Sequence, residues 1–243
     1  MTGSRPAAGP RTRTPRRAVF FGLAGLGVVA GVAWALLSSR VLVVRSVTVT
    51  GTHLVSPAQV IAVADVPDGT SLIGVDTAQV ARRVETIRQV ASATVAKDWP
   101  DRLVITVRER VPAVAVRMAG GGYGLADAAG VVVRWSASRP AGLPLYLTSL
   151  PGGALRHDPG VAAAAAVLAE LPPWLSRQVA EVSATAAAGP GSPPQVTLYL
   201  LDRKTVLWGG TDRASEKDRE LAILMRGPAR YFDVSAPGTV VTR

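Results

Sequence analysis

Hydrophobic and polar positions change rhythm several times along the chain, and each rhythm predicts an element. Residues 18–39 read AVFFGLAGLGVVAGVAWALLSS, twenty-two positions without a charge. About 20 apolar residues in a helix cross the hydrocarbon of a bilayer, so this run predicts one transmembrane helix. Directly afterwards Val43, Val47 and Val49 alternate with Ser46, Thr48 and Thr50, the period-two pattern of a half-buried strand that Gly51 ends. Ser56-Pro57-Ala58-Gln59 supplies an N-cap, a proline for the first helical position and a capping-box partner, predicting a short helix to about Ala64. Asp76 offers a second cap, and Val80, Val84 and Ile87 then repeat at helical spacing. A strand over 90–98, a turn at Trp99-Pro100-Asp101 and a strand carrying Leu103, Ile105 and Val107 complete a β-α-α-β-β order. Two helices on one face of three strands close a core in about 70 residues, near the lower limit for a domain.

From Val111 onward the pattern becomes strand-rich with two helices. Extended pieces at 123–126 and 131–135 flank Asp127-Ala128-Ala129-Gly130, which predicts a hairpin, and 143–147 is a further extended piece. Residues 161–171 are alanine-rich and stop at Pro172-Pro173, a helix with a hard end. Strands are expected at 179–183, 196–201 and 205–208, with the Pro/Gly-rich stretch 189–194 as a loop. Leu221, Leu224 and Met225 share one face of a last helix starting near Ser215 or Glu216. Extended segments at 231–235 and 240–242 follow, split by Ala236-Pro237-Gly238. The fold class read from the chain is therefore α+β: a membrane helix, a small β-α-α-β-β domain and a mixed β-rich domain with two helices.

Charge sets the expected orientation. The formal net charge of +10 first suggests nucleic acid. Five of the twenty-seven basic residues, Arg5, Arg11, Arg13, Arg16 and Arg17, precede the apolar run, and every one of the seventeen acids lies at or after Asp65. That leaves twenty-two bases against seventeen acids, a net of +5 spread as on an ordinary soluble surface. Nucleic acid is not expected as a partner. The arginine excess before the span predicts a cytoplasmic tail over 1–17 and an extracytoplasmic remainder. Ala33-Trp34-Ala35 fits the small-x-small rule of a cleaved signal peptide, but the apolar run exceeds the usual core of about 7–15 residues and continues through Leu36 and Leu37.

Candidate chemistry is sparse. The chain has no cysteine and only two histidines, His53 and His157, so a zinc site, which needs three or four convergent ligands, is not expected. No GxSxG elbow is present, and Gly120-Gly121-Gly122 lacks the lysine and strand-to-helix setting of a phosphate loop. The expectation is no catalytic residue, no cofactor and no metal.

The order of these pieces behind one span resembles the FtsQ/DivIB family of bacterial cell-division proteins. The strings that carry the resemblance are VRSVTVTGTHLVS, GTSLIGVD and VAKDWPDRLVITVRERVPAVAV, then GLADAAGVVV, SEKDRELAILMR and YFDVSAPGTVVTR. The resemblance implies a POTRA domain over 42–110 and a β-domain over 111–243. It implies a non-catalytic divisome scaffold whose partners are similar to the bitopic proteins FtsB and FtsL, and through them an influence on the septal peptidoglycan synthase. A POTRA component of a transport machinery and a membrane-tethered enzyme are the alternatives. Open sheet edges pair with extended segments of other chains, so the last strand is the candidate partner site: Tyr231, Phe232, Asp233, Val234 and Ser235.

Overall fold

A computed structural model describes residues 42–150, 152–186, 194–238 and 241–242, together with residues 20, 21, 23 and 25–31. The uncharged run expected to cross the membrane lies largely outside these residues, as does the basic tail; the described part of the run is helical. Among the described residues no helix is long and apolar enough to cross a membrane. By chain contacts the protein divides into two compact units. One contains Ser56–Val84 and Ala93–Val107 with the described chain up to Gly51; the other contains Thr52–Val55, Glu85–Ser92 and everything from Arg108 onward.

The first unit follows the predicted β-α-α-β-β order: β1 (Ser46–Thr50), α1 (Pro57–Ala64), α2 (Thr77–Val84), β2 (Val90–Asp98) and β3 (Arg102–Glu109). Its sheet has the order β1-β3-β2, with β1 parallel to β3 from Ser46 opposite Arg102 to Thr50 opposite Thr106. Local chemistry sets the ends of α1. The Ser56 side chain accepts from the Gln59 N–H at 3.2 Å, Pro57 occupies the first turn and Asp65 closes the helix in the left-handed region at φ 47°. Asp76 does the same service for α2, accepting from the Gln79 N–H at 2.9 Å. On α2, Arg83 donates from Nε to the carbonyl of Ala64 at 2.9 Å. Its guanidinium thereby satisfies a carbonyl that the end of α1 leaves without a helical partner. Val60, Ala64, Val80 and Val84 from the helices and Leu103, Ile105 and Val107 from β3 are buried, as are Val44, Leu72 and Val75 from the loops.

The second unit holds β4 (Val114–Arg117), β5 (Tyr123–Ala126), β6 (Val132–Ser136), β7 (Leu145–Tyr146), α3 (Pro159–Glu170), α4 (Pro173–Ser176), β8 (Val179–Thr185), β9 (Gln195–Leu200), β10 (Thr205–Gly209), α5 (Ala214–Leu224), β11 (Tyr231–Asp233) and β12 (Val241–Thr242). Nine strands form one sheet in the order β12-β11-β10-β9-β8-β7-β4-β5-β6. It is mixed: β4 with β7, β7 with β8 and β10 with β11 are parallel, and the other neighbours antiparallel. Its core joins Val161, Ala164 and Val167 of α3 and Leu221 of α5 to Val182, Val196, Leu198, Val206, Trp208 and Phe232 of the strands. The small residues of α3 allow a close approach. A Cβ on Gly160 would stand 2.5 Å from the Tyr146 hydroxyl and 3.2 Å from the Ala184 side chain.

Two features differ from the pattern read in the sequence. Pro172-Pro173 ends α3 as expected, but Pro173 also opens the one-turn helix α4, where its missing N–H costs nothing. A further 3-10 turn spans Gly152–Leu155, so the β-rich half has more helical pieces than the two expected. Strand β4 was not anticipated because Val114, Ala115 and Val116 are all buried, and a strand covered on both faces shows no alternation.

Candidate partner-binding edge

The end of the nine-stranded sheet is built around β10. Strand β9 turns back into β10 as an antiparallel pair, Thr205 opposite Tyr199. Strand β11 then lies parallel to β10, with Thr205, Val206 and Leu207 opposite Tyr231, Phe232 and Asp233. A parallel neighbour requires a crossover, and α5 supplies it. Backbone bonds extend this ladder past the strand: the Thr205 N–H donates to the Arg230 carbonyl at 2.8 Å and the Val234 N–H to the Leu207 carbonyl at 3.0 Å.

The sequence placed an open edge at Tyr231, Phe232, Asp233, Val234 and Ser235, and the geometry corrects that premise. Regular strand ends at Asp233, and β12 lies on the outer side of β11, with Phe232 opposite Thr242 and Asp233 opposite Val241. Strand β12 is therefore the terminal strand at this end. Phe232 and Val234 are fully buried and belong to the core; Tyr231, Asp233 and Ser235 are half-buried. Ser235 is held to Asp233 by its own N–H and hydroxyl, which donate to Asp233 Oδ1 at 3.0 and 2.7 Å. The signal for the extra strand was present in the extended reading of 240–242 behind Ala236-Pro237-Gly238. Its pairing partner was not legible.

Helix α5 braces this end. Lys217 has no exposure, and its ammonium donates to the Gly210 carbonyl at 3.0 Å and to Asp212 Oδ1 at 3.3 Å. A cation so placed ties the helix to the loop leaving β10. Glu220 Oε1 accepts from the Gly238 N–H at 3.0 Å, holding the turn that sends the chain back as β12. Gly209, at φ +77°, packs where a Cβ would stand 3.0 Å from the Ser235 side chain. Trp174 Nε1 donates to Asp218 Oδ1 at 2.9 Å and links α4 to the same helix. The sequence marks this helix by its apolar face and by the string SEKDRELAILMR, and neither assigns Lys217 or Glu220 an anchoring role.

What the arrangement offers is backbone. A terminal strand carries alternate N–H and C=O groups that no neighbour covers, which suits an extended peptide. Among the described residues no group of three or more His, Asp or Glu is placed to hold a metal ion.

Residues 42–110 match the family model described as the POTRA domain, FtsQ-type. The cell division protein FtsQ of Streptomyces venezuelae is 34% identical over 245 residues, covering 96% of this chain and 87% of that protein. The chain belongs to the FtsQ family. Its FtsQ relative in Streptomyces collinus is 32% identical over 247 residues, 97% of this chain and 91% of the relative. FtsQ of Mycobacterium tuberculosis (strain ATCC 25618 / H37Rv) is 39% identical over 215 residues, and that of Mycobacterium leprae 38% over 219. The match covers 64% and 60% of those two longer FtsQ proteins, so the chain spans less than two thirds of the mycobacterial relatives.

Proposed function

We propose that this FtsQ-family chain is a bitopic scaffold of the bacterial division machinery that recruits its partners outside the cytoplasm by strand addition at β12. The observation that carries the reading is the exposed end of a nine-stranded sheet, braced from behind by Lys217 and Glu220. Family membership supports the division role, since the relatives carry the name cell division protein FtsQ. The uncharged run 18–39 behind five arginines supports a single span with the N-terminus in the cytoplasm. The POTRA domain over 42–110 and a β-domain over 111–243 then lie on the far side of the membrane. The partners are bitopic proteins similar to FtsB and FtsL, and control of septal wall synthesis passes through them. Binding, with no bond made or broken, is the activity of such a scaffold.

Two measurements test this. A fluorescent fusion should gather at the division septum, and diffuse membrane fluorescence would sink the division reading. Thr242→Pro removes a backbone donor from the two-residue edge without touching Phe232 or Val234 in the core. It should abolish pull-down of the FtsB-like partner while thermal unfolding stays within a few degrees. Undiminished pull-down would show that the partner docks elsewhere. Val234→Pro is the less informative variant, because Val234 is buried and its N–H already bonds to Leu207.

A further inference from the structure

Strand β6 ends the same sheet at the side opposite β12. Like any terminal strand it presents uncovered backbone groups, and its side chains distinguish it from a merely exposed edge. Its sequence is VVRWS: Val133 is buried, Arg134 is exposed and Trp135 is 56% exposed. The indole stands free because its cross-strand neighbour on β5 is Gly124, which has no side chain to lay over it. Space above Gly124 is already filled, since a Cβ there would stand 3.0 Å from the Met118 sulfur and 3.1 Å from Val132. The register shift between Leu125 and Ala126 leaves Val133 as an extra residue, and Val132 and Trp135 come to line one hollow.

That hollow has a volume of about 340 Å³ and is walled by Arg88, Met118, Val131, Val132, Trp135 and Arg156. No acidic residue lines it. Arg88, Arg134 and Arg156 are all exposed, and among the described residues none of the three has a carboxylate within ion-pair distance. An apolar ring, a thioether and two guanidinium groups share one face of the strand, and a third guanidinium lies on the other. Backbone pairing demands an extended peptide, the guanidiniums demand carboxylates, and the indole demands an apolar or aromatic residue between them.

We propose that the β6 edge is a second strand-addition site, which takes an extended acidic peptide segment of another protein. Its carboxylates face Arg88, Arg134 and Arg156, and an apolar side chain lies on Trp135. This site is separate from β12, so one sheet can hold two different partners at its two ends.

The test uses the full chain in detergent and a fluorescent peptide of glutamates with one central valine, so that carboxylates fall on both faces of the added strand, somewhat longer than a typical strand of about 5–6 residues. Binding measured by anisotropy should weaken at least tenfold in Trp135→Ala and should be lost in the Arg134→Glu, Arg156→Glu double variant. The lysine-valine counterpart should bind the wild type at least tenfold more weakly and should gain affinity for the double variant. All three positions are exposed, so folding is expected to survive. A peptide N-methylated at alternate residues changes the ligand and leaves the protein untouched; it should lose binding. Equal binding of the methylated peptide would overturn strand addition, and equal binding of the lysine peptide would overturn the acidic preference. Peptide-independent binding to anionic phospholipid vesicles that Trp135→Ala abolishes would assign the patch to a membrane. Self-association removed by the same substitution, with no peptide binding, would assign it to a second copy. Either result would also overturn the proposal.

Discussion

Arg110 Nη1 meets Asp127 Oδ2 at 2.7 Å, and the other oxygen of Asp127 accepts the Ala129 and Val131 N–H groups at 3.0 and 2.8 Å. One carboxylate therefore fixes the turn of the β5–β6 hairpin and neutralises a guanidinium whose side chain is only 17% exposed. Breaking a buried pair from one side leaves an uncompensated charge, at a cost of about 3–5 kcal/mol. Asp127→Ala should lose stability of that order in chemical denaturation, since two amides lose their acceptor as well. Adding Arg110→Met should recover a good part of the loss, because the stranded cation goes with it. A double variant as unstable as the single one would show that the turn amides, and not the charge, dominate.

The same turn depends on a glycine. Gly130 sits at φ +73°, and a Cβ there would collide with the Leu155 carbonyl. The left-handed conformation alone costs a non-glycine residue about 1–2 kcal/mol. Gly130→Ala should therefore lower the unfolding midpoint by more than that cost implies, because the 3-10 turn ending at Leu155 must also give way. A midpoint unchanged within error would mean that this loop moves freely.

Much of this architecture was legible beforehand, and the unread parts share a cause. Caps, prolines and period-two runs act over a few residues, so Ser56, Asp76 and the alternation in β3 announced their elements from local spacing. The Asp127 hairpin was visible for the same reason. Arg110–Asp127, Arg83 over Ala64 and Lys217 under Gly210 join residues 17, 19 and 7 positions apart, and periodicity carries no sign of such pairings. The premise that 231–235 is an open edge was misread for the same reason. That 231–235 is extended was read correctly in outline, but which strand lies outside it is a question of sheet order, and β12 is only two residues long. The Trp135 edge was missed because its glycine partner lies on another strand.

Glu109 gives a pH-dependent prediction. Burial acts to raise its pKa, but N–H groups of Val55, His53 and Leu54 donate to its carboxylate, and together with the nearby His53 they hold it below the ordinary value of 4.5. A carboxyl with a lower pKa in the folded state than in the unfolded one stabilises the fold above the unfolded value, and that stability disappears as pH falls through the folded value. Wild-type stability should thus decline below about pH 4.5, and Glu109→Gln should flatten the decline. The readout is the unfolding midpoint across the acid range. Parallel curves for the two proteins would show that other carboxylates carry the acid sensitivity.

Glu220 offers the sharpest test of how the terminal edge is kept in place. Its Oε1 accepts from the Gly238 N–H, and Gly238, at φ +88°, lies in the turn between β11 and β12. Helix α5 contributes Leu221 to the core, so Glu220 extends from a fixed element to a segment that pairs at only two positions, Phe232 with Thr242 and Asp233 with Val241. A two-residue strand has little pairing of its own to hold it, and each hydrogen bond to a charged acceptor contributes about 1.5–3 kcal/mol. Glu220→Ala should therefore loosen β12 with much less effect on the sheet behind it. Amide exchange should quicken at Asp233, whose N–H faces β12, and stay slow at Phe232 and Val234, which face β10, and in β9 and β10. If β12 is the docking edge, partner binding should fall in the same variant, and Glu220→Gln, which keeps a side-chain oxygen acceptor, should restore most of both properties. Quickened exchange with undiminished binding would mean that the partner displaces β12 and pairs with β11 directly, which returns the site to Tyr231, Phe232 and Asp233.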